Sequence, residues 1–492
     1  MITISTFAGK EVAVFGLARS GITAAEALRA GGAKLACWDD GEQQRAAASA
    51  AGLPLVDLDA ADWRQFAALV LAPGVPLTHP KPHWTVEKAR ATGVEVIGDV
   101  ELFFRERAAT APGSTVVAIT GTNGKSTTTA LVAHVLRSAG RRVAMGGNIG
   151  VGVLSLEPPS PDVVHVLELS SFQVDLTPSL APTIGILTNI TPDHLDRHGT
   201  IENYSAVKER LLRDAEVGVV GMGDEACRAI AGRRLAQQKR TIGCLVADDA
   251  TRAAIAPSSA EIAALLDAGL ELLVARSSSG VVRHESGAAD GPAVSVADLA
   301  AVPALRGPHN AENAAFAVAV ALELGLGNGQ IAAALGSFPG LQHRMEVLGR
   351  IGKVTVVNDS KATNADSVEK ALASFDGGIF WIAGGIAKDG GIESLARYFP
   401  RLAKAYLIGE SAGDFAETLA GKAEFVHAAT LPKAIEAAIE DALTSKYESP
   451  VVLLSPACAS FDQYKSFEHR GEHFRALFEV RHRAESSREV LS

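Results

Sequence analysis

Short apolar runs, each closing on Gly, Ser, Asp or Pro, recur along the chain, with stretches of helical apolar spacing between them. "EVAVF", "AKLACW" and "LVLAP" come first, "VVAIT", "DVVHVLE" and "TIGIL" follow, and "KVTVV", "GIFWIAGG", "KAYLIGE" and "PVVLLSP" come last. Strands alternating with helices predict an α/β fold on mainly parallel sheets, with binding residues at the C-terminal ends of the strands. A length of 492 residues leaves room for about three domains of ordinary size. "RAATAPGST" from Arg107 reads as a linker, and Pro339-Gly340 interrupts a helical pattern, so segments 1–106, 107–339 and 340–492 are expected. The Ala-rich stretch from Thr241 to Pro303 carries no sharp chemistry and is placed as peripheral structure.

The first segment pairs a strand, a glycine turn and an Ala-rich helix ending at Gly31-Gly32 with a second strand closing on acids. That is the layout of a Rossmann-like nucleotide-binding βαβ unit, although Ala18 stands in the middle glycine position of G-x-G-x-x-G. The strongest local pattern opens the second segment. In "AITGTNGKSTTTALVAHVL" from Ala118, a strand meets a turn of small residues, then Lys125 and Ser126 at the mouth of a helix. Unpaired N–H groups and the positive end of the helix dipole gather there, so the turn suits an anion. Gly121 and Gly124 let the backbone curl around a phosphate, Lys125 reaches its outer oxygens, and Ser126 can ligate a magnesium ion riding on it. The usual pattern has a glycine where Ile119 stands.

Composition narrows the partners. Net charge is −10 and no basic cluster forms a track, which argues against a nucleic-acid partner and for a small substrate. The N-terminus lacks a signal-peptide pattern, and no apolar run approaches the roughly 20 residues of a membrane span, so a cytoplasmic protein without membrane insertion is expected. Cys37, Cys227, Cys244 and Cys458 have no C-x-x-C spacing and read as reduced core thiols.

Two strand ends in the middle segment add chemistry. Glu168 in "LELSSFQ" is placed to serve magnesium-nucleotide chemistry. His194 and His198 in "TPDHLDRHG" are four apart, which allows a zinc pair or two locally hydrogen-bonded structural histidines; Leu195 stands where H-E-x-x-H has its acid. Lys208 in "AVKERLL" reads, by itself, as part of a solvated helix face.

"TGTNGKST", "GGNIG" from Gly146, "LELSSFQ", "TNITPDHLDRHG" and "YSAVKERL" together resemble the central ATPase domain of the Mur ligases, the ATP-dependent amide-bond-forming enzymes of peptidoglycan synthesis. The resemblance covers essentially the whole chain in order, and "HRMEV", "NDSKATN" and "LLSPACASFDQYKSFEHRG" are most similar to the branch that takes D-glutamate. It implies an N-terminal Rossmann-like UDP-binding domain, a central P-loop ATP-binding domain and a C-terminal Rossmann-like, doubly wound amino-acid-binding domain. It also implies ATP, UDP-N-acetylmuramoyl-L-alanine and D-glutamate as partners, a monomer, and closure of the third domain onto the second before chemistry.

Residue by residue, the resemblance implies that Gly121, Thr122, Asn123, Gly124, Lys125, Ser126 and Thr127 hold the ATP phosphates, with Asn313, Arg344, Asp359 and Lys361 around the rest of the nucleotide. Two Mg2+ ions would be held by Ser126, Glu168, His194 and a carbamylated Lys208. Asn148 would contact the substrate beside the reaction centre. Thr363, Lys388, Ser460 and Phe467 would hold D-glutamate, and Arg19, Ser20, Asp39, Ala72 and Gly74 the uridine diphosphate. Arg19 and Asp40-Gly41 depart from the family pattern there. Rival readings are another Mur-type or folylpolyglutamate-type amide ligase, or a P-loop nucleotide switch without chemistry.

Overall fold

The computed structural model describes residues 1–247, 260–276, 280–284, 294–299, 302–305, 307–387 and 390–489. The chain divides into two units, Met1–Phe338 and Pro339–Ser492. In the first, strands β1 (Glu11–Phe15), β2 (Lys34–Trp38), β3 (Phe66–Leu71) and β4 (Glu95–Ile97) form a parallel sheet ordered β2-β1-β3-β4. The predicted helix after β1 runs Arg19–Ala30 and stops at Gly31.

A larger sheet follows in the same unit. Its strands are β5 (Val116–Thr120), β6 (Arg142–Gly147), β7 (Val163–Glu168), β8 (Ile184–Leu187), β9 (Val217–Gly221), β10 (Thr241–Val246), β11 (Glu271–Arg276), β12 (Gly280–His284) and β13 (Val294–Ala297), ordered β13-β12-β11-β10-β9-β8-β5-β7-β6. Every residue of β5 and β7 is buried, as expected of β-branched runs covered on both faces. The chain runs from β5 to the edge at β6, returns to β7 beside β5, and crosses to β8 on the far side. That reversal sets the crevice at the C-terminal ends of β5, β7 and β8, where ligands of open α/β sheets bind.

Two expectations change here. The stretch between Thr241 and Pro303 is no appendage. Strands β10 and β11 continue the parallel sheet, and β12 and β13 finish it antiparallel, with Cys244, Leu273 and Ala275 buried in its core. Its apolar runs are short and separated by Ala, Ser and Gly, so strand periodicity is hard to see. The stretch from Arg107 is no loose linker either. A helix, Asp99–Thr110, runs through it and buries Val100, Leu102, Phe103 and Phe104 in a cluster that holds Val12 and Val14 of β1 together with Leu154 and Val163. Each of the two phenylalanines contributes about 2 kcal/mol by leaving water. Arg107 is itself buried, donating to the Ser114 carbonyl (2.6 Å from Nη2) and the Ala181 carbonyl (3.1 Å from Nη1).

The second unit has strands β14 (Glu346–Ile351), β15 (Val354–Asn358), β16 (Ile379–Gly384), β17 (Ile386–Ala387), β18 (Leu402–Ile408), β19 (Phe425–Ala429), β20 (Val451–Leu454) and β21 (Cys458–Ala459). Six of them form a sheet ordered β14-β15-β20-β16-β18-β19, parallel except for β14, and β17 pairs with β21. This is the doubly wound arrangement expected after Pro339. All four cysteines are buried free thiols. No helix among the described residues is long and apolar enough to cross a membrane.

Arg107→Ala would leave two buried carbonyls without their donor, so a loss of about 3 kcal/mol in unfolding stability is expected. The shift of the urea midpoint measures it, with Arg64→Ala, whose ion pair with Asp62 lies in solvent, leaving the midpoint in place.

Candidate active site

Strand β5 delivers the chain to Gly121 between the ends of β7 and β8. Ile119, in the place of the usual first glycine, is a buried strand residue opposite Glu168 on one side and Ile186 on the other. Gly121 has φ +144°, and a Cβ there would lie 1.9 Å from Thr188 Oγ1. Gly124, at φ +82°, caps the helix Lys125–Ser138, and a Cβ would come within 2.7 Å of Asn313 Oδ1. Asn313 reaches the loop because its Ala-rich helix, Pro308–Glu323, starts on a proline and packs closely on the helix Lys125–Ser138. Its Oδ1 accepts from Thr128 at 3.0 Å. The loop after β8 holds the turn from the other side. Thr122 N and Asn123 N each donate to Asn189 at 2.9 Å, and Thr188 Oγ1 donates to Asn123 O at 2.6 Å. Ser126 and Thr127 are buried in the helix's first turn.

Two lysines meet at this turn. Lys125 Nζ donates to the carbonyls of Gly121 (3.0 Å) and Thr122 (2.7 Å). Lys208 Nζ donates to the same Gly121 carbonyl at 2.8 Å and to Thr120 Oγ1 at 3.2 Å. Lys208 is therefore not on a solvated face: on the helix Ile201–Arg213, Tyr204, Lys208, Leu211 and Leu212 are the buried residues, and Lys208 is 1% exposed. Burial first, and then the charge of Lys125, push its amine well below the ordinary lysine value.

Beside them, Glu168 ends β7 fully buried. Asn148 Nδ2 donates to Glu168 Oε1 at 2.9 Å, and Asn148 N donates to the Glu168 carbonyl at 2.8 Å. The other carboxylate oxygen, Oε2, is buried with no hydrogen-bond partner. A buried carboxylate oxygen left this way is suited to a hard cation. Among the described residues no group of three or more His, Cys, Asp or Glu side chains could enclose a metal by itself.

The histidine pair does not form a zinc site. His198 is buried, its Nε2 is 2.9 Å from Ser171 Oγ, and burial lowers it to about 4, so it is a neutral structural residue. His194 stands half-exposed with a left-handed backbone (φ 51°), its ring 5.0 Å from that of Phe172. Arg197, between them, was given no role by its sequence context; it stacks on Phe172 and donates to the Gly74 and Val75 carbonyls. Tyr204, also without an assigned role, has its hydroxyl 3.2 Å from Thr122 Oγ1.

The residues expected around uridine diphosphate also gather. Gly16 (φ +92°) lies so close to Ala72 that a Cβ would be 2.5 Å from that side chain, and a Cβ on Gly21 would be 1.8 Å from the Gly16 carbonyl. Ser20 sits in the first turn of the helix that follows. Asp39 accepts from Leu17 N (2.6 Å) and Gly41 N (2.8 Å), so it shapes the turn. Arg19, the departure from the family pattern, donates outward to the Gly150 carbonyl at 2.7 Å. Gly74 is open, with nothing within 4 Å of a Cβ there.

In the second unit, Asp359 follows β15 directly and is buried, accepting from Ser455 Oγ (2.8 Å) and Met345 N (3.1 Å), and burial raises its carboxyl to about 7. Arg344 lies between His343 and Met345, both in left-handed backbone, and its Nε is buried without a partner. Lys361 Nζ is 5.6 Å from the Phe467 ring centre, and Thr363 N donates to the Lys361 carbonyl. Ser460 is buried, its carbonyl accepting from Tyr464 N at 2.8 Å. Lys388 lies outside the described residues. Arg470, in the longest motif but given no role by its sequence context, is buried and donates to Ser360 Oγ, Ser360 O and Cys458 O, tying that motif to Ser360 of "NDSKATN".

Comparison with known proteins shows the family. Residues 119–321 match the Mur ligase middle domain, and residues 343–458 match the Mur ligase glutamate ligase domain. The UDP-N-acetylmuramoylalanine--D-glutamate ligase of Nitrobacter hamburgensis is 54% identical over 480 residues, covering 97% of this chain and 98% of that one. The enzyme of the same name from Brucella abortus is 51% identical over 475 residues, covering 96% and 97%. Among solved structures, UDP-N-acetylmuramate-alanine ligase from Thermotoga maritima superposes with a TM-score of 0.53 at 20% identity over 96% of this chain and 99% of that chain, and MurF from Acinetobacter baumannii with 0.53 at 18% over 77% and 79%. These two likenesses concern the fold.

Burial, by weakening the hold of the Lys208 amine on its proton, opposes folding wherever the unfolded chain holds that proton. The unfolded state binds more protons between the lowered folded value and 10.5, so wild-type stability rises with pH across that window. Lys208→Met should thus raise the thermal midpoint at pH 7, with the gain shrinking as pH approaches 10.5. Gly121 O keeps its bond from Lys125, and the Thr120 hydroxyl keeps its own bond to the Leu169 carbonyl, so neither group is left unpaired. Melting curves in carbon-dioxide-depleted buffer across pH 7 to 10 test this; a midpoint that falls at pH 7 would contradict it.

Proposed function

The chain belongs to the Mur ligase family, and on that premise we propose that it joins D-glutamate to the L-alanyl carboxylate of UDP-N-acetylmuramoyl-L-alanine, using ATP and passing through an acyl phosphate. The observation that carries the reading is the crevice at the ends of β5, β7 and β8: a phosphate-binding turn, two lysine amines on the Gly121 carbonyl, and a buried carboxylate oxygen on Glu168 without a partner. A nucleotide switch needs only the turn. The buried second lysine, which destabilises the fold, is explained by chemistry. The choice of amino acid rests on relatives of that name that are more than half identical across nearly the whole chain.

In the first step a carboxylate oxygen attacks the γ-phosphorus of ATP and ADP leaves. In the second, the amine of D-glutamate attacks the acyl carbon, phosphate leaves and the amine's proton is released. Neither step needs a covalent bond to the protein; both crowd negative charge, so positioning and fixed positive potential are what the protein supplies. The loop N–H groups of Gly121 to Thr127 and the Lys125 ammonium would hold the phosphates, with Asn313 fixing Gly124 and Arg344, Asp359 and Lys361 serving the rest of the nucleotide. Asn148 would hold Glu168 with its side-chain amide while facing the substrate.

Ser126, Glu168, His194 and Lys208, the last as a carbamate, would hold two magnesium ions, which supply charge neutralisation on the phosphates when bound. The depressed amine of Lys208 favours this role, because only a neutral amine adds carbon dioxide. On this reading the chain works as three domains: the first sheet holds uridine diphosphate through Arg19, Ser20, Asp39, Ala72 and Gly74, the central sheet holds ATP, and the third segment holds D-glutamate through Thr363, Lys388, Ser460 and Phe467. We assign the reaction to a monomer in the cytoplasm, where both nucleotides are made.

Phosphate release from ATP and magnesium with UDP-N-acetylmuramoyl-L-alanine should require D-glutamate. L-glutamate, meso-diaminopimelate or L-lysine supporting release instead would overturn the choice of amino acid. Lys208→Ala should lower turnover by about 100-fold or more, in line with loss of a charge-stabilising group, and formate or acetate should restore part of it.

A further inference from the structure

Arg197 joins its own loop, the one after β8, to two other segments. It lies on the single helical turn Leu195–His198 that follows His194. Its Nη1 donates to the Gly74 carbonyl and its Nη2 to the Val75 carbonyl, both at 3.0 Å and more than 120 residues away in the chain. Its guanidinium carbon stands 4.5 Å from the centre of the Phe172 ring. Phe172 belongs to the short capped helix Ser171–Asp175 that starts three residues after Glu168, and its ring also packs against His194 and His198. One planar cation thus faces the loop after β3, the loop after β7 and the loop after β8 together.

A second contact two residues on reinforces the seam. Gly199 (φ +79°) lies so near His79 of the β3 loop that a Cβ would be 2.8 Å from His79 Nε2. The two carbonyls Arg197 engages belong to consecutive residues, so a forked donor matches them. A lysine ammonium at this position would lose both the fork and the flat face on Phe172.

We propose that Arg197 is a positioning residue that ties the β3 loop to the His194 loop, so that binding of a nucleoside diphosphate at the first sheet and the ordering of the His194 loop are one event. The proposal rests on the reading of Gly74 and its neighbours as the uridine-diphosphate loop. Without the tie, the β3 loop and the His194 loop would order separately, and the UDP-sugar would lose affinity before any chemistry begins.

The test uses the full chain with Arg197→Met and Arg197→Lys. Calorimetry of UDP-N-acetylmuramoyl-L-alanine binding, in EDTA and without ATP, should show about tenfold weaker binding for both variants, the loss of two charge-assisted hydrogen bonds that lysine cannot restore. In turnover, KM for the UDP-sugar should rise and kcat fall, while KM for ATP stays within about twofold, since Thr188 and Asn189, not Arg197, make the bonds that hold the turn around Gly121. Unchanged UDP-sugar affinity in both variants, or full rescue by lysine, would overturn the proposal. If Arg197→Met folds poorly, Phe172→Leu removes only the stacked ring and should weaken UDP-sugar binding in the same direction; no change there counts against the tie. Hydrogen exchange of the ligand-free protein separates this from the functional reading: amides 72–79 should exchange faster in Arg197→Met whatever the substrate proves to be. Faster exchange with no UDP-sugar binding by the wild type would defeat the functional reading and leave the tie standing; equal exchange would defeat the tie.

Discussion

Two lysine amines meet on the carbonyl oxygen of Gly121, one from the helix that opens the loop and one from a helix lying 87 residues further along the chain. Two full positive charges at that separation, out of water, repel strongly. Burial, with the charge of Lys125 beside it, eases the conflict by pushing the Lys208 amine well below the ordinary lysine value. Much of the central sheet serves this arrangement: β5 delivers the carbonyl, the Thr200-capped helix Ile201–Arg213 brings the second amine inward, and the loop after β8 fixes the turn through Thr188 and Asn189. Nearby, Glu168 Oε2 is buried without a partner. The site is an incomplete set of charges, ready for a ligand that brings both phosphate and cation.

What sequence made legible was local. The phosphate turn, Glu168 at a strand end and the strands of the second unit are each written within one short run, so spacing and composition reveal them. Lys208 was not legible from composition, because its neighbours Glu209 and Arg210 are polar and nothing in "AVKERLL" says which side of the helix faces the sheet; only resemblance singled it out. Arg197, Tyr204 and Arg470 act by reaching loops distant in sequence, and no local pattern encodes such a reach.

The two misread stretches have a common cause. Periodicity reports the burial of one face at a time, whereas the helix Asp99–Thr110 buries most of its sides, charged residues included: Glu101, Glu106 and Arg107 lie inside with their partners. Its polar letters and the following Ala-Pro-Gly suggested exposure. Between Thr241 and Pro303 small residues are mixed into the strands, and β12 and β13 finish the sheet with antiparallel pairing, outside the alternation that marks parallel crossovers. The histidine pair shows the same limit: i,i+4 spacing permits a shared ligand, but Phe172 and Ser171 engage the rings instead.

The position of β20 has a consequence for how the second unit is made. This strand lies between β15 and β16 and is bonded to both, yet it is synthesised after every other strand of its sheet. As the chain leaves the ribosome, β14 and β15 can form one ribbon and β16, β18 and β19 another, each with an apolar inner edge waiting for residues 451–454. Open edges of that kind invite pairing with neighbouring nascent chains. The unit therefore stays open to such pairing until residues 451–454 have been made and taken their place between β15 and β16.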